Sequence, residues 1–124
     1  MSTDDTHRLM DAYFTALATG HFRQCLTDDV TWTTIQNAAE VRGAEAVEEA
    51  INTLHARMSD LMTRQLIVGD QSAYLEGTGA GQDGRARIPF CVAYDLVGDR
   101  IDAMRAYGQL AVFTSPSGES PAPL

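Results

Sequence analysis

The hydrophobic period of the chain changes once, near residue 62, and this change limits the folds available to it. Before that point apolar residues recur at intervals of three and four, as on one face of a helix, and after it they alternate with polar residues, as in strands. Helices gathered in one half of a chain and consecutive strands in the other are typical of an α+β domain. We therefore expect a cone-shaped, curved antiparallel sheet wrapped around a long helix, whose mouth forms a small-molecule pocket.

The first half of the chain predicts three helices around a single strand. Apolar spacing and terminal Gly20 indicate a helix over 3–19, and a short helix follows over 21–26. A β-branched and aromatic run predicts a strand over 30–35. After a polar loop, the longest helix runs from Gly43 through Leu61. Its acidic residues at 45, 48 and 49 lie off the apolar face.

The second half predicts a meander of strands joined by short turns. Turn signals at 69–70, 82–84 and 98–99 separate the runs, and three prolines mark 114–124 as a disordered tail. A single domain is therefore expected over 1–113. The predicted strands cover 66–68, 73–80, 85–97 and 100–113.

Charge and composition exclude several classes of protein. The net charge is −8, which argues against binding to nucleic acid or to an anionic membrane surface. All nine cations are arginines, so chemistry that requires a lysine is excluded. The acidic N-terminus and the lack of an apolar run of about 20 residues predict neither a signal peptide nor a membrane span. Two isolated cysteines, Cys25 and Cys91, form no disulfide framework, so a cytoplasmic location is expected.

Several stretches of sequence resemble a known superfamily. They are DVTW at 29–32, VRGAEAV at 41–47, LEGTG at 75–79 and DRIDAMRAY at 99–107, together with the helix segment at 10–20. In this order the chain resembles the nuclear transport factor 2-like superfamily. Within it, the chain is most similar to the SnoaL-like, ketosteroid-isomerase-like and limonene-epoxide-hydrolase-like proteins. The resemblance implies an α+β cone, but the superfamily hosts many reactions as well as non-catalytic modules.

The resemblance carries over only part of each known catalytic set. Tyr13 falls where ketosteroid isomerases keep the tyrosine that donates to the oxyanion, whereas their two aspartates fall on Thr34 and near Val92. Against limonene epoxide hydrolase, the acid position falls on Glu76 and the base position on Ala106. Steroid isomerisation by the ketosteroid isomerase mechanism is therefore not expected.

Glu76 is the predicted acid–base residue. Alternation places Tyr74, Glu76 and Thr78 on one face of a strand, and the resemblance turns that face toward the pocket. A carboxylate there would be desolvated and its pKa raised, which suits a general acid or base. The alternative is that the opposite face points inward, which leaves Glu76 solvated or paired with Arg87 or Arg105.

Tyr13 is the second predicted catalytic residue, because its position on the helix stripe directs it inward, where its hydroxyl could polarise a substrate oxygen. The alternative is a core tyrosine bonded to a backbone carbonyl. The other predicted site residues would bind or shape the substrate. They are Trp32, Thr34, His55, Tyr74, Tyr94, Asp102, Met104, Ala106 and Leu110.

Two classes of function remain open. The first is a small-molecule isomerase, dehydratase, cyclase or epoxide hydrolase without metal or organic cofactor. It would act on an apolar, oxygenated ligand of polyketide, terpenoid or steroid type. The second is a non-catalytic ligand-binding or dimerisation module. An inward Glu76 favours the enzyme and an outward Glu76 favours the module. A homodimer through the outer sheet face is expected in either case.

Overall fold

In a computed structural model, two helices pack against a six-stranded sheet that is curved and not closed. The structure describes residues 2–81, 87–110 and 113. The predicted turn at 82–84 and the predicted tail at 114–124 lie outside the described residues. In chain order the elements are α1 (Thr3–Leu17), a 3-10 turn (Arg23–Cys25), β1 (Leu26–Thr34), a 3-10 turn (Ile35–Asn37), β2 (Ala39–Arg42), α2 (Ala44–Ala56), β3 (Met58–Val68), β4 (Ser72–Gly81), β5 (Ile88–Val97) and β6 (Arg100–Gly108).

The strands lie in the order β2-β1-β6-β5-β4-β3. The predicted antiparallel meander is confirmed for β3 to β6. The short helix predicted over 21–26 is instead a 3-10 turn over Arg23–Cys25. Two features of the sheet also differ from the prediction. The loop expected at 36–42 contains the edge strand β2, and β1 pairs parallel with β6, with Trp32 opposite Met104. A parallel pair needs a long crossover connection, so no local turn signal in the sequence could reveal it.

Helix α1 is held at its N-terminus by a capping box. The Ser2 hydroxyl accepts from the Asp5 N–H, and the Asp5 carboxylate accepts from the Ser2 N–H. One turn later the buried Thr6 hydroxyl donates to the Asp70 carbonyl at 2.9 Å. These contacts fix the start of α1 on the turn between β3 and β4. They direct the buried residues Met10 and Tyr13 toward the concave face of the sheet.

Helix α2 is shorter than predicted, and the expected helix through Leu61 is wrong. The helix ends at Ala56, where the Arg57 N–H donates to the Leu54 carbonyl at 3.0 Å. Met58 then begins β3 opposite Gly81. The apolar spacing continues past the helix end, so periodicity alone could not locate the boundary; pairing with β4 decides it. None of the described helices is long and apolar enough to cross a membrane.

Candidate functional site

An apolar cavity of about 90 Å³ lies between the two helices and the concave face of the sheet. Its inner end is formed by buried side chains, and its mouth by side chains that are partly or largely exposed. The inner end includes Tyr13, Trp32, Ile51, Val92, Tyr94 and Leu110. The mouth includes Leu17, His55, Met58, Leu61 and Thr63.

Two tyrosines meet edge to face at the inner end of the cavity. The ring centroids of Tyr13 and Tyr94 are 5.9 Å apart. Burial raises the pKa of Tyr13 and also that of Tyr94, so both phenols keep their protons and act as hydrogen-bond donors. The Tyr13 hydroxyl donates to Sδ of Met104 at 3.7 Å. A thioether is a weak acceptor, so this bond is a poor substitute for one to an oxygen atom.

The Tyr94 hydroxyl has no acceptor among the described residues, although only 3% of the residue is exposed. No side-chain nitrogen or oxygen that is fully enclosed lacks a partner in the described part of the chain. The Tyr94 hydroxyl is therefore not fully enclosed, and Tyr94 lines the cavity. A free donor thus lies in apolar surroundings, where a hydrogen bond to a ligand is strongest.

His55 provides the cavity with a proton acceptor. It lies in the last turn of α2, partly buried, and its imidazole has no hydrogen-bond partner among the described residues. Burial lowers the pKa of its imidazole, so the ring is neutral at neutral pH. Of the described residues that line the cavity, the other titratable groups are Tyr13 and Tyr94. No described carboxylate or arginine faces the ring from the cavity wall.

Glu48 supports Tyr13 through Phe22, a role that its place off the apolar face did not reveal. It is buried, and its carboxylate accepts from the N–H groups of Phe22 at 2.9 Å and Arg23 at 3.0 Å. The Arg23 guanidinium completes the arrangement at 2.9 Å. Burial alone would raise the pKa of Glu48, but these donors lower it overall. Phe22, held in this way, packs edge-on against the Tyr13 ring at 5.7 Å.

The predicted orientation of Glu76 and Tyr74 is wrong. In β4 the buried residues are Ala73, Leu75, Gly77 and Gly79, so the opposite set faces outward. The Glu76 side chain is half exposed and its Oε1 lies 3.2 Å from Nε of Arg64. It therefore pairs with a residue of the neighbouring strand and does not face the cavity. The alternation of side chains along the strand predicts which residues share a face, but it does not predict which face is buried.

The other predicted site residues divide into two groups. The structure brings Tyr13, Trp32, His55, Tyr94 and Leu110 together around the cavity. The catalytic role of Tyr13 and the binding roles of the others remain predictions. The second group does not line the cavity. Met104 and Ala106 are fully buried on the inner face of β6, and Thr34 lines a separate groove between β2 and α2. Asp102 accepts a hydrogen bond from the Thr27 hydroxyl at 2.8 Å.

Sequence reasoning missed the residues that shape the cavity mouth. Phe14 and Phe90 line it, and Met58 and Leu61 do so from β3, where a helix was predicted. Among the described residues no cluster of histidine, cysteine, aspartate or glutamate side chains could hold a metal ion. The titratable groups among the described residues that line the cavity are two phenols and one neutral imidazole.

Solved structures share this architecture at low sequence identity. A steroid delta-isomerase from Pseudomonas aeruginosa is 14% identical, with a TM-score of 0.77 over 88% of this chain and 85% of that one. An NTF2-like protein from Burkholderia xenovorans is 18% identical, with a TM-score of 0.74 over 93% of this chain and 99% of that one. A de novo designed protein with a curved β-sheet is 16% identical, with a TM-score of 0.74 over 90% and 91%.

The comparisons at the level of sequence add nothing to these similarities. No protein-family model matches the chain, and no curated protein matches it. A designed protein matches as well as an isomerase does, so the shared architecture defines the fold and leaves the activity open. The chain has the NTF2-like fold.

Proposed function

We propose that the protein binds a small apolar molecule bearing an acceptor oxygen, in the cavity between the helices and the concave sheet. The observation that carries the proposal is the Tyr94 hydroxyl at the apolar cavity, which has no acceptor among residues 2–81, 87–110 and 113. A buried donor without a protein acceptor loses hydrogen-bonding energy, which a ligand carbonyl or ether would restore. Tyr13 supplies a second donor, because its bond to the Met104 thioether is easily exchanged for one to oxygen.

The sole tryptophan of the chain gives a direct test. Trp32 lines the cavity and also the groove between β2 and α2, and its indole N–H provides a single signal in a ¹H–¹⁵N spectrum. A loss of affinity in Tyr94→Phe assigns the binding to the cavity, because Tyr94 lines the cavity and not that groove. Titration with 2-butanone should shift this signal saturably. Tyr94→Phe should weaken 2-butanone binding about fivefold, as expected from the loss of one hydrogen bond of about 1 kcal/mol. Tyr74→Phe, which removes an outward-facing hydroxyl, is the matched control and should bind like wild type. A signal that never saturates would contradict the proposal.

A second function is acid–base catalysis in the same cavity, and the position of His55 favours it. The neutral imidazole could take a proton from a carbon next to a bound carbonyl. The electron pair of the broken C–H bond would move onto the oxygen, where the tyrosine hydroxyls stabilise the enolate. Return of the proton to the same or to a conjugated carbon would complete an exchange or an isomerisation.

Deuterium exchange separates this catalysis from simple binding. In D₂O the wild type should incorporate deuterium into 2-butanone faster than buffer does, and His55→Gln should reduce the rate to that of buffer. His21→Gln, at an exposed position, is the matched control. Binding without exchange above the buffer rate would leave the protein as a ligand-binding module and exclude His55 as a base for this ketone.

We further propose that the outer face of the sheet pairs with a second copy of the chain. Two adjacent cross-strand rows there carry exposed apolar side chains: Ile67 and Tyr74 in one row, and Tyr107 in the next. Each side chain is more than 40% exposed, and isolated chains seldom leave several such groups together. Arg105 lies in the row of Ile67 and Tyr74, and Glu76 lies in the row of Tyr107. Each is ion-paired, Arg105 with Asp95 and Glu76 with Arg64.

A further inference from the structure

The size of the cavity restricts what it can hold, provided that it binds ligands as proposed above. Its volume is about 90 Å³. A dry protein cavity of about 150 Å³ holds benzene. As it stands, the site therefore accepts a molecule smaller than a six-membered ring. The steroid-sized ligand suggested by the sequence does not fit within it.

Met58 occupies the space that would make the cavity larger. It is the first residue of β3 and lines the mouth, where its side chain lies across the neighbouring strand at Gly79. A methyl group placed on Gly79 would collide with Cε of Met58 and would lie 3.8 Å from its Sδ. The absent side chain at Gly79 thus creates the seat in which the Met58 thioether rests. Glycine within a strand often marks such a close approach.

The backbone that carries Met58 is fixed to β4 by an arginine. Asp60 adopts the left-handed conformation with φ +51°, and the register of β3 against β4 shifts between Ser59 and Met62. The Arg87 guanidinium donates to the Asp60 carbonyl at 2.7 Å and to the Thr78 hydroxyl at 2.9 Å. It also forms an ion pair with the Asp60 carboxylate. These contacts hold the segment against β4, so the Met58 side chain stays packed over Gly79.

We propose that Met58, seated over Gly79, sets the upper size limit of the ligand. The residue is well suited to this role because a thioether side chain packs closely against irregular apolar surfaces. Shortening it removes three heavy atoms from the mouth without altering the hydroxyl donors at the inner end. Shortening Met58 should therefore increase the size of the ligand that binds, and the ligand should still require an acceptor oxygen.

A ketone series tests the proposal through the Trp32 indole signal. The wild type should bind acetone and 2-butanone but should not bind cyclohexanone measurably at the same concentrations. Met58→Ala should bind cyclohexanone at least about tenfold more tightly than wild type, because the vacated volume buries several additional methylene groups. Its affinity for 2-butanone should change less than about threefold. Met58→Val, a smaller perturbation, should lie between wild type and Met58→Ala.

Met62→Ala is the matched control, because Met62 lies on the same strand but is 55% exposed and does not line the cavity. It should show the wild-type size limit. If wild type and Met58→Ala bind cyclohexanone equally, Met58 does not set the limit, and the proposed binding function survives. If neither protein binds any ketone of the series, the binding function fails and the size limit with it. Circular dichroism confirms that each variant is folded before titration.

Discussion

The polar groups on the two faces of the sheet differ in whether they have partners within the protein. On the outer face, charged side chains are paired: Arg105 with Asp95 at 2.6 Å, and Arg64 with Glu76 at 3.2 Å. On the concave face, the Tyr94 hydroxyl has no partner in the described part of the chain. Ion pairing satisfies the outer groups and leaves them little capacity for a ligand. The polar group available to bind a ligand is therefore the uncharged Tyr94 hydroxyl, which lies in drier surroundings than the ion pairs.

Leu75 and Glu76 are adjacent residues on opposite faces, and their substitution should give the largest contrast in stability. Leu75 is 8% exposed and borders the cavity. Leu75→Ala should lower the free energy of unfolding by about 2–4 kcal/mol, because it removes buried apolar contacts and enlarges the cavity. Urea denaturation followed by circular dichroism measures the change. A loss below about 1 kcal/mol would indicate that this face is not the core-facing one.

A charge introduced on the outer face should change self-association and not the free energy of unfolding. Tyr74→Arg would place a cation among the exposed apolar rows and should weaken self-association at least about tenfold. Sedimentation velocity over a range of protein concentrations measures this effect. Val97→Arg is the control, since Val97 is 59% exposed at the last residue of β5. A wild type that stays monomeric at every concentration would contradict the proposed pairing.

Much of the fold could be predicted because it depends on local patterns. The change of period near residue 62 separates the helices from the meander, and Gly98 marks the turn between β5 and β6. The buried face of β4 could not be predicted in this way. A strand of alternating residues presents two candidate faces, and the glycines at 77 and 79 carry no hydropathy signal. Both glycines are buried, and the family resemblance alone placed the opposite face, with Glu76, toward the pocket.

The candidate site depended still more on contacts between distant parts of the chain. Tyr13, Trp32 and Tyr94 were predicted as site residues because each lies on an apolar stripe or strand. Glu48 gave no such signal, because its partners, two backbone N–H groups and the Arg23 guanidinium, lie far from it in the sequence. Met58 was assigned to a helix, and its seat exists only because Gly79 lies on the strand beside it. The spacing of residues in the sequence does not predict contacts between distant parts of the chain.

His55 should give the concave face a pH dependence that exposed histidines lack. Burial lowers the pKa of the folded-state imidazole below the unfolded value of about 6.5. As the pH falls below about 6.5, the unfolded chain takes up this proton first, so the folded protein loses stability. The loss amounts to about 1.4 kcal/mol for each unit by which the pKa is lowered. His55→Gln should remove this contribution.

Urea denaturation at pH 7.5 and pH 5 measures the pH effect of His55. The difference in stability between the two conditions should be smaller in His55→Gln than in wild type. His21→Gln, at an exposed position, should retain the wild-type difference. Equal differences in all three proteins would show that the cavity does not desolvate His55.

Glu76→Gln should have the smallest effect of the substitutions considered. The carboxylate is half exposed and its partner, Arg64, is 79% exposed, so the pair contributes about 0–1 kcal/mol. The substitution should change the free energy of unfolding by less than about 0.5 kcal/mol. It should leave the affinity for 2-butanone unchanged, since the side chain faces away from the cavity. A loss of ketone binding in a stable Glu76→Gln protein would show that the carboxylate reaches the ligand after all, and it would reverse the assignment of the two faces.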